Sequence, residues 1–179
     1  MSSVGLVVGN PKAQSRTLAL ARQVAAAAAD AAGLGDTPPL TVDLAELGPQ
    51  LFDWSSSGVQ EAVDGIRSCA LVVVASPTYK ASYTGLLKSF LDLFSTTSLE
   101  GVTVIPVMTG AGAHHALAVE VHLRPVLVEL GATLPTRGLY VTEAELPDAD
   151  GVIAGWITAA GPLLRGSVAG LASAPPEVP

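Results

Sequence analysis

Ser15, Arg16 and Thr17 bring two hydroxyls and a guanidinium to the start of a segment with strong helix propensity. A helix start adds backbone amides that have no intrahelical acceptor, together with the positive end of the dipole, and this is the chemistry of a phosphomonoester site. The plain alternative is a helix cap by Ser15 alone. The surrounding run GNPKAQSRT, opening on Gly9 and Asn10, is neither a G-x-G-x-x-G fingerprint nor a P-loop, so a pyrophosphate or a nucleoside triphosphate is not favoured. A second set, Pro77, Thr78, Tyr79 and Lys80, has a proline-stiffened turn whose amides and side chains could face a planar group, or could simply join a strand to a helix. In a third set, Thr109, Gly110 and Gly112, the glycines would let backbone approach a ligand closely or serve only as turn residues. His114 and His115 are adjacent, do not share a helical face and have no evident third ligand, so no metal is expected.

These sets need elements to hold them in place. Leu71 to Val74 is a continuous apolar run with β-branched bias and predicts a strand buried on both faces in mid-sheet. Tyr83, Leu86, Leu87, Phe90, Leu91 and Phe94 recur at helical spacing and predict an amphipathic helix over 83–94, whose apolar side looks larger than one domain needs. The loop between them, 76–80, leaves the C-terminal end of the strand, where open α/β sheets bind ligands. Upstream, a strand over 4–8 runs into Gly9, Asn10 and Pro11, and an alanine-rich helix over 16–32 stops at Gly33. A second strand over 40–44 is followed by a loop over 45–58, with Phe52 and Trp54 expected to cap the core. A helix over 59–68 leads through Cys69, expected as an inert small core residue, into the central strand. Downstream come a strand over 102–108, interrupted by Pro106, and a helix over 114–130 that Pro125 should kink or bulge near Val121 and His122. A strand region over 134–141 and a helix over 152–168 close the pattern, and 171–179 reads as a flexible tail on a single domain of residues 1–170.

Five alternations of strand and helix imply an α/β fold: a parallel sheet covered on both faces, with right-handed crossovers. At 179 residues the chain suits a flavodoxin-like three-layer sandwich with a five-stranded sheet of order 2-1-3-4-5. Its switch point would make loop 10–17 face loop 77–80 across one crevice. The net charge of −7 argues against nucleic acid or an anionic membrane as the main partner. A single cysteine, no signal-peptide pattern and apolar runs too short or too interrupted to span a bilayer lead to the expectation of a cytoplasmic protein.

The stretches GNPKAQSRT, SPTYKASYTGLLKSFLDLF and HALAVEVHLRPVLVELGA resemble the NAD(P)H-dependent FMN reductase family, in particular the reductases of two-component sulfonate-utilisation monooxygenase systems. The second stretch is the specific one: proline, tyrosine and lysine after an apolar strand, then glycine and an amphipathic helix. The resemblance implies a flavodoxin-like fold, FMN as substrate or prosthetic group, and hydride transfer from NADPH or NADH. It implies that Ser15, Arg16 and Thr17, with Asn10 beside them, hold the FMN phosphate. Pro77, Thr78, Tyr79 and Lys80 would line the isoalloxazine, and Thr109, Gly110 and Gly112 would close the other side. It also implies a homodimer or homotetramer built through the helix beginning near Tyr83 and the kinked helix, with a flavin-dependent monooxygenase as a possible recipient of reduced FMN. Some sulfonate-system members carry a tyrosine insertion in the kinked helix, where this chain has Val121 and His122. A tightly FMN-bound quinone or azo reductase is the rival enzyme. A flavodoxin-like electron carrier is the rival outside enzymes, although Pro11, Lys12 and Arg16 suit its phosphate loop poorly. A receiver domain would need acidic residues where Asn10, Ser76 and Pro77 stand. No catalytic side chain is expected, because the flavin carries the electronics.

Overall fold

The computed structural model describes residues 4–35, 38–53 and 55–173. Five parallel strands, β1 Val4–Val8, β2 Leu40–Asp43, β3 Leu71–Pro77, β4 Thr103–Gly110 and β5 Leu139–Thr142, form one sheet of order β2-β1-β3-β4-β5. This is the expected flavodoxin-like order. Because side chains alternate across a strand, each central strand feeds two apolar layers. Leu6, Val8, Val73 and Val107 meet helices α1 Arg16–Ala32 and α6 Ala149–Ala172 on one face. Val7, Val74, Val104 and Met108 meet α3 Ser57–Arg67, α4 Gly85–Leu91 and α5 Arg124–Glu129 on the other.

Pro106 fits inside β4 because of where β5 begins. Val104 donates its amide to Thr133 on the β5 side, and strand alternation turns residue 106 the same way. Pairing with β5 itself starts only at Val107↔Leu139, so the missing proline amide falls where the neighbouring ladder is interrupted.

Several boundaries differ from the sequence expectations. The stretch expected as a loop over 45–58 contains helix α2 Leu44–Leu47, a 3₁₀ turn Gly48–Phe52 and the start of α3. Asp43 decides this: its carboxylate caps α2 at the Ala45 amide and ends β2 one residue early. Phe52 does not cap the core. It is 73% exposed, and Leu51 takes the inward position of the same turn. Trp54 lies outside the described residues. The helix expected over 83–94 shortens to α4, because Thr84 caps it through the Leu87 amide and leaves Tyr83 outside. Of the apolar residues expected along 83–94, Leu87, Phe90, Leu91 and Phe94 are buried, while Tyr83 and Leu86 are only partly buried against the same layer. The large exposed apolar side chains next in the chain are instead Leu117, Val121 and Val128. Helix α6 runs past 152–168 at both ends. By length and composition alone, its stretch Leu146–Leu171 is long and apolar enough to cross a membrane, which the sequence reading did not anticipate. Here it docks on the sheet and α1: Ala160, Leu164 and Val168 are buried, and Arg165 donates to the Ala31 carbonyl at 3.0 Å. The first residues of the tail expected over 171–179 belong to that helix, which runs to Ala172, and residues 174–179 lie outside the described part.

The single helix expected over 114–130 is three pieces: a 3₁₀ turn Ala113–His115, a π-helical turn Val119–Leu123, and α5. The π turn spans Val121 and His122, where Pro125 was expected to disturb the ladder. It presents Glu120, and the first residue of α5 presents Arg124, to the connection leading into β5. Glu120 accepts from the Gly138 amide at 2.6 Å and from Arg124 Nε at 2.5 Å, while the Arg124 guanidinium donates to the carbonyls of Leu134 and Thr136. Partial burial opposes the Glu120 charge, but the Gly138 amide and the Arg124 hydrogen bond and charge outweigh it, so the carboxyl sits below its ordinary pKa of 4.5. A depressed carboxylate contributes stability above its unfolded pKa and loses it as the pH falls through the folded value. Glu120→Gln is therefore expected to lower unfolding free energy by about 1–3 kcal/mol near pH 7. The deficit should shrink below about pH 4.5 in urea titrations. A pH-independent deficit would refute the charge-based account.

Candidate functional site

The C-terminal ends of β1, β3 and β4 open onto a cleft of about 300 Å³. Its first wall is loop 10–15, and the loop is set by short polar side chains. Asn10 accepts from the Lys12 amide at 2.9 Å and donates to Thr17 Oγ1 at 3.1 Å; Thr17 Oγ1 in turn lies 3.2 Å from Thr109 Oγ1. This relay ties the first loop to the end of β4. Asp43 receives the amide of Gln14, whose φ of 52° is left-handed. At the head of the loop, Gly9 donates to Ala75 O at 2.8 Å and accepts from the Thr84 hydroxyl at 2.5 Å. A Cβ on Gly9 would stand 2.5 Å from the Leu87 Cβ, so only glycine lets β1 end this close to α4.

Ser15 caps α1, accepting from the Leu18 amide at 3.2 Å, so the plain reading of this serine is correct as far as it goes. Its hydroxyl proton is still available to a ligand, and the first-turn amides of Arg16 and Thr17 have no intrahelical acceptor. Arg16 reaches across the mouth to Glu143, with Nη2 3.0 Å from Oε1. The opposite wall carries Pro77 and Tyr79. Tyr79 and Ser82 exchange backbone hydrogen bonds of 2.8 and 3.1 Å around Lys80 and Ala81, whose φ values of 51° and 65° are both left-handed. A tight turn of this primed kind normally uses glycine or asparagine. Its strain here accompanies a tyrosine left 53% exposed at the mouth of the cleft.

This arrangement sets a helix start with unpaired first-turn amides opposite an aromatic-edged wall across a sheet switch point, a combination whose chemistry could hold a phosphorylated planar ligand. Residues 2–146 match the family described as NADPH-dependent FMN reductase. The chain belongs to that family. It is 39% identical over 90 residues to an NADH-dependent FMN reductase, SfnF, of Pseudomonas putida, covering 50% of this chain and 48% of that protein. An FMN reductase (NADPH) of Pseudomonas aeruginosa is 34% identical over 147 residues, covering 78% of this chain and 76% of the relative. The chain thus spans about half the length of the first of these and about three quarters of the second. The solved apo structure of the NADH:FMN oxidoreductase EMOB superposes with a TM-score of 0.81 at 29% identity, over 98% of this chain and 92% of that one.

Of the residues singled out from the sequence of this family member, Asn10, Ser15, Arg16, Thr17, Pro77, Tyr79 and Thr109 line the one cleft. The other four do not line it. Thr78 donates its amide to Thr109 O at 2.6 Å, and its buried hydroxyl has no hydrogen-bond partner. Lys80 occupies the strained turn beside the cleft. Gly110 lies under Tyr140, whose hydroxyl would collide with any Cβ there, and Gly112 accepts from that hydroxyl at 3.0 Å. Lys12, Gln14, Glu143 and Leu146 also line the cleft and were absent from the candidate set. Lys12 and Gln14 could have been added by adjacency to the loop. Glu143 sits 127 residues from Arg16, and no local pattern announces it. His114 and His115 lie with ring centres 4.1 Å apart and planes tilted by 54°, and no cluster of three metal-ligating side chains occurs among the described residues. Cys69 is buried, and burial pushes its thiol above its ordinary pKa, consistent with an inert core position.

Proposed function

We propose that this protein reduces FMN with a reduced nicotinamide nucleotide. The observation that carries the reading is the convergence of Ser15, Arg16 and Lys12 opposite Tyr79 in one cleft at the sheet's switch point. Family membership and the printed activities of the relatives support it. When bound, FMN supplies the redox chemistry by taking a hydride from the nicotinamide. Ser15 Oγ and the amides of Arg16 and Thr17 would hold its phosphate, with Lys12 and Arg16 providing charge. Asn10, Thr17 and Thr109 keep that loop in register with β4 through their hydroxyl relay. Pro77 and Tyr79 would flank the isoalloxazine, with Thr78 and Lys80 setting the backbone of that wall, and Thr109 would border it from the other side, with Gly110 and Gly112 placed behind it by Tyr140. Each of these contributions is orientation or binding, and no side chain is assigned as acid or base.

Steady-state oxidation of NADH and of NADPH, with and without added FMN, tests the reading. A saturable dependence on added FMN with at least one nucleotide is expected. Absence of flavin-dependent oxidation with both would overturn it, while a ping-pong pattern with co-purifying FMN would redirect it toward a quinone or azo reductase. Delivery of reduced FMN to a flavin-dependent monooxygenase in the cytoplasm completes the proposal. Self-association belongs to it as well: the exposed Leu117, Val121 and Val128 along the interrupted helix offer an apolar strip for a second copy. Light scattering at micromolar concentration should report a dimer or tetramer, and a monomer would remove this part.

A further inference from the structure

We propose that Glu143 sets flavin affinity low by competing with the phosphate for Arg16, so that FMN is exchanged at each turnover as a substrate. The inference rests on the FMN reading above and adds a specificity-determining carboxylate to it. Arg16, the guanidinium best situated for a phosphate at the start of α1, is engaged by Glu143 at 3.0 Å. Both side chains are largely exposed, 69% and 53%, and exposed ion pairs are weak enough for a ligand to displace. The pair therefore tunes the site rather than locking it.

The backbone of Glu143 keeps its carboxylate within reach of the cleft mouth. It follows directly on β5, and its amide donates to Gly110 O at 2.8 Å, which fixes its backbone at the edge of the cleft. Among the described residues lining the cleft, the ionic side chains are Lys12, Arg16 and Glu143. An incoming phosphate thus meets a net charge of one cation where the sequence around α1 alone promises two. Freeing Arg16 from an exposed ion pair is worth up to about fivefold in affinity, and removing a like charge a few ångströms from the phosphate in a water-like dielectric, trimmed by salt, adds a further factor of up to about fivefold. The expected effect of removing the carboxylate charge is about threefold to thirtyfold in FMN affinity.

The test is a set of Kd measurements by flavin fluorescence quenching for FMN and riboflavin, using the wild-type protein, Glu143→Gln, Arg16→Ala and the double variant. Glu143→Gln keeps the shape of an exposed side chain, so folding is not at stake. FMN should bind about threefold to thirtyfold more tightly to Glu143→Gln, with riboflavin changed less than about twofold. In the Arg16→Ala background the part of the gain that comes from freeing Arg16 should vanish, leaving only the through-space repulsion, about fivefold or less. Equal tightening of FMN and riboflavin would overturn the inference, since the effect would not act through the phosphate. An unchanged FMN Kd, or a gain undiminished without Arg16, would overturn it as well. A wild-type protein that binds neither flavin would instead remove the underlying FMN reading, and this inference with it.

Discussion

Replacing Phe90 with alanine is expected to lower the unfolding free energy by about 3–5 kcal/mol, the usual range for emptying a buried aromatic site. Phe90 is among the largest fully buried side chains and packs edge-on against Phe94, ring centres 5.3 Å apart. It belongs to the layer that includes Leu87, Val74 and Leu123, so its removal leaves a cavity between α4 and the sheet. The consequence reaches the cleft through α4. Thr84, the cap of that helix, holds the Gly9 carbonyl, and its amide donates to Ser76 Oγ at 3.1 Å. A loosened α4 should therefore weaken ligand binding while the protein remains folded. Urea denaturation gives the stability, and flavin titration of the folded variant gives the binding. A loss smaller than about 1.5 kcal/mol would mean that the neighbouring side chains collapse into the space and that the layer is less constrained than its burial indicates.

Arg16→Ala is expected to weaken FMN binding about tenfold to a hundredfold, as a charge-assisted phosphate contact is worth roughly 1.5–3 kcal/mol. Riboflavin, which lacks the phosphate, should be affected far less. The structure shifts the expectation within that range: Arg16 must first leave Glu143, so the net loss should fall toward the tenfold end. Stability should barely change, because the ion pair that disappears is solvent-exposed. If FMN and riboflavin weakened by the same factor, the phosphate would lie elsewhere, and Lys12 would be the next residue to replace.

The parallel sheet and its order were legible in the sequence because buried parallel strands are written as uninterrupted apolar runs. Val4–Val8 and Leu71–Pro77 are of this kind, and nothing but a two-sided core accommodates them. Helix α1 was legible to the residue, since Ser15 and Gly33 mark its two ends with local chemistry alone. The π turn was legible for the same reason, as a proline acts on the carbonyl one turn before it. Where a local signal was misjudged, it was a capping side chain. Asp43 and Thr84 each stop or start an element that hydrophobic spacing alone would have extended.

The cleft divides in the same way. Asn10, Ser15, Arg16 and Thr17 follow a single strand, so chain adjacency already joins them, and a sheet order of 2-1-3 brings Pro77 and Tyr79 across from them. The Ser15 cap follows from local chemistry, but which hydroxyl bridges to another element and which stays unpaired was decided only by tertiary contact. Thr17 reads as a phosphate residue in the sequence, and only the fold shows that its hydroxyl also lies 3.2 Å from that of Thr109, 92 residues away. Gly110 reads as a turn residue near a ligand in the sequence, and only the fold shows that the Tyr140 hydroxyl lies against it. The Arg16–Glu143 pair likewise depends on β5 finishing beside the start of α1, and a distance of 127 residues along the chain carries no periodicity from which it could be read. Local sequence determines backbone conformation through short-range sterics and hydrogen bonding, whereas the partner of a side chain is set by which strands become neighbours, and that is fixed only when the whole apolar core closes.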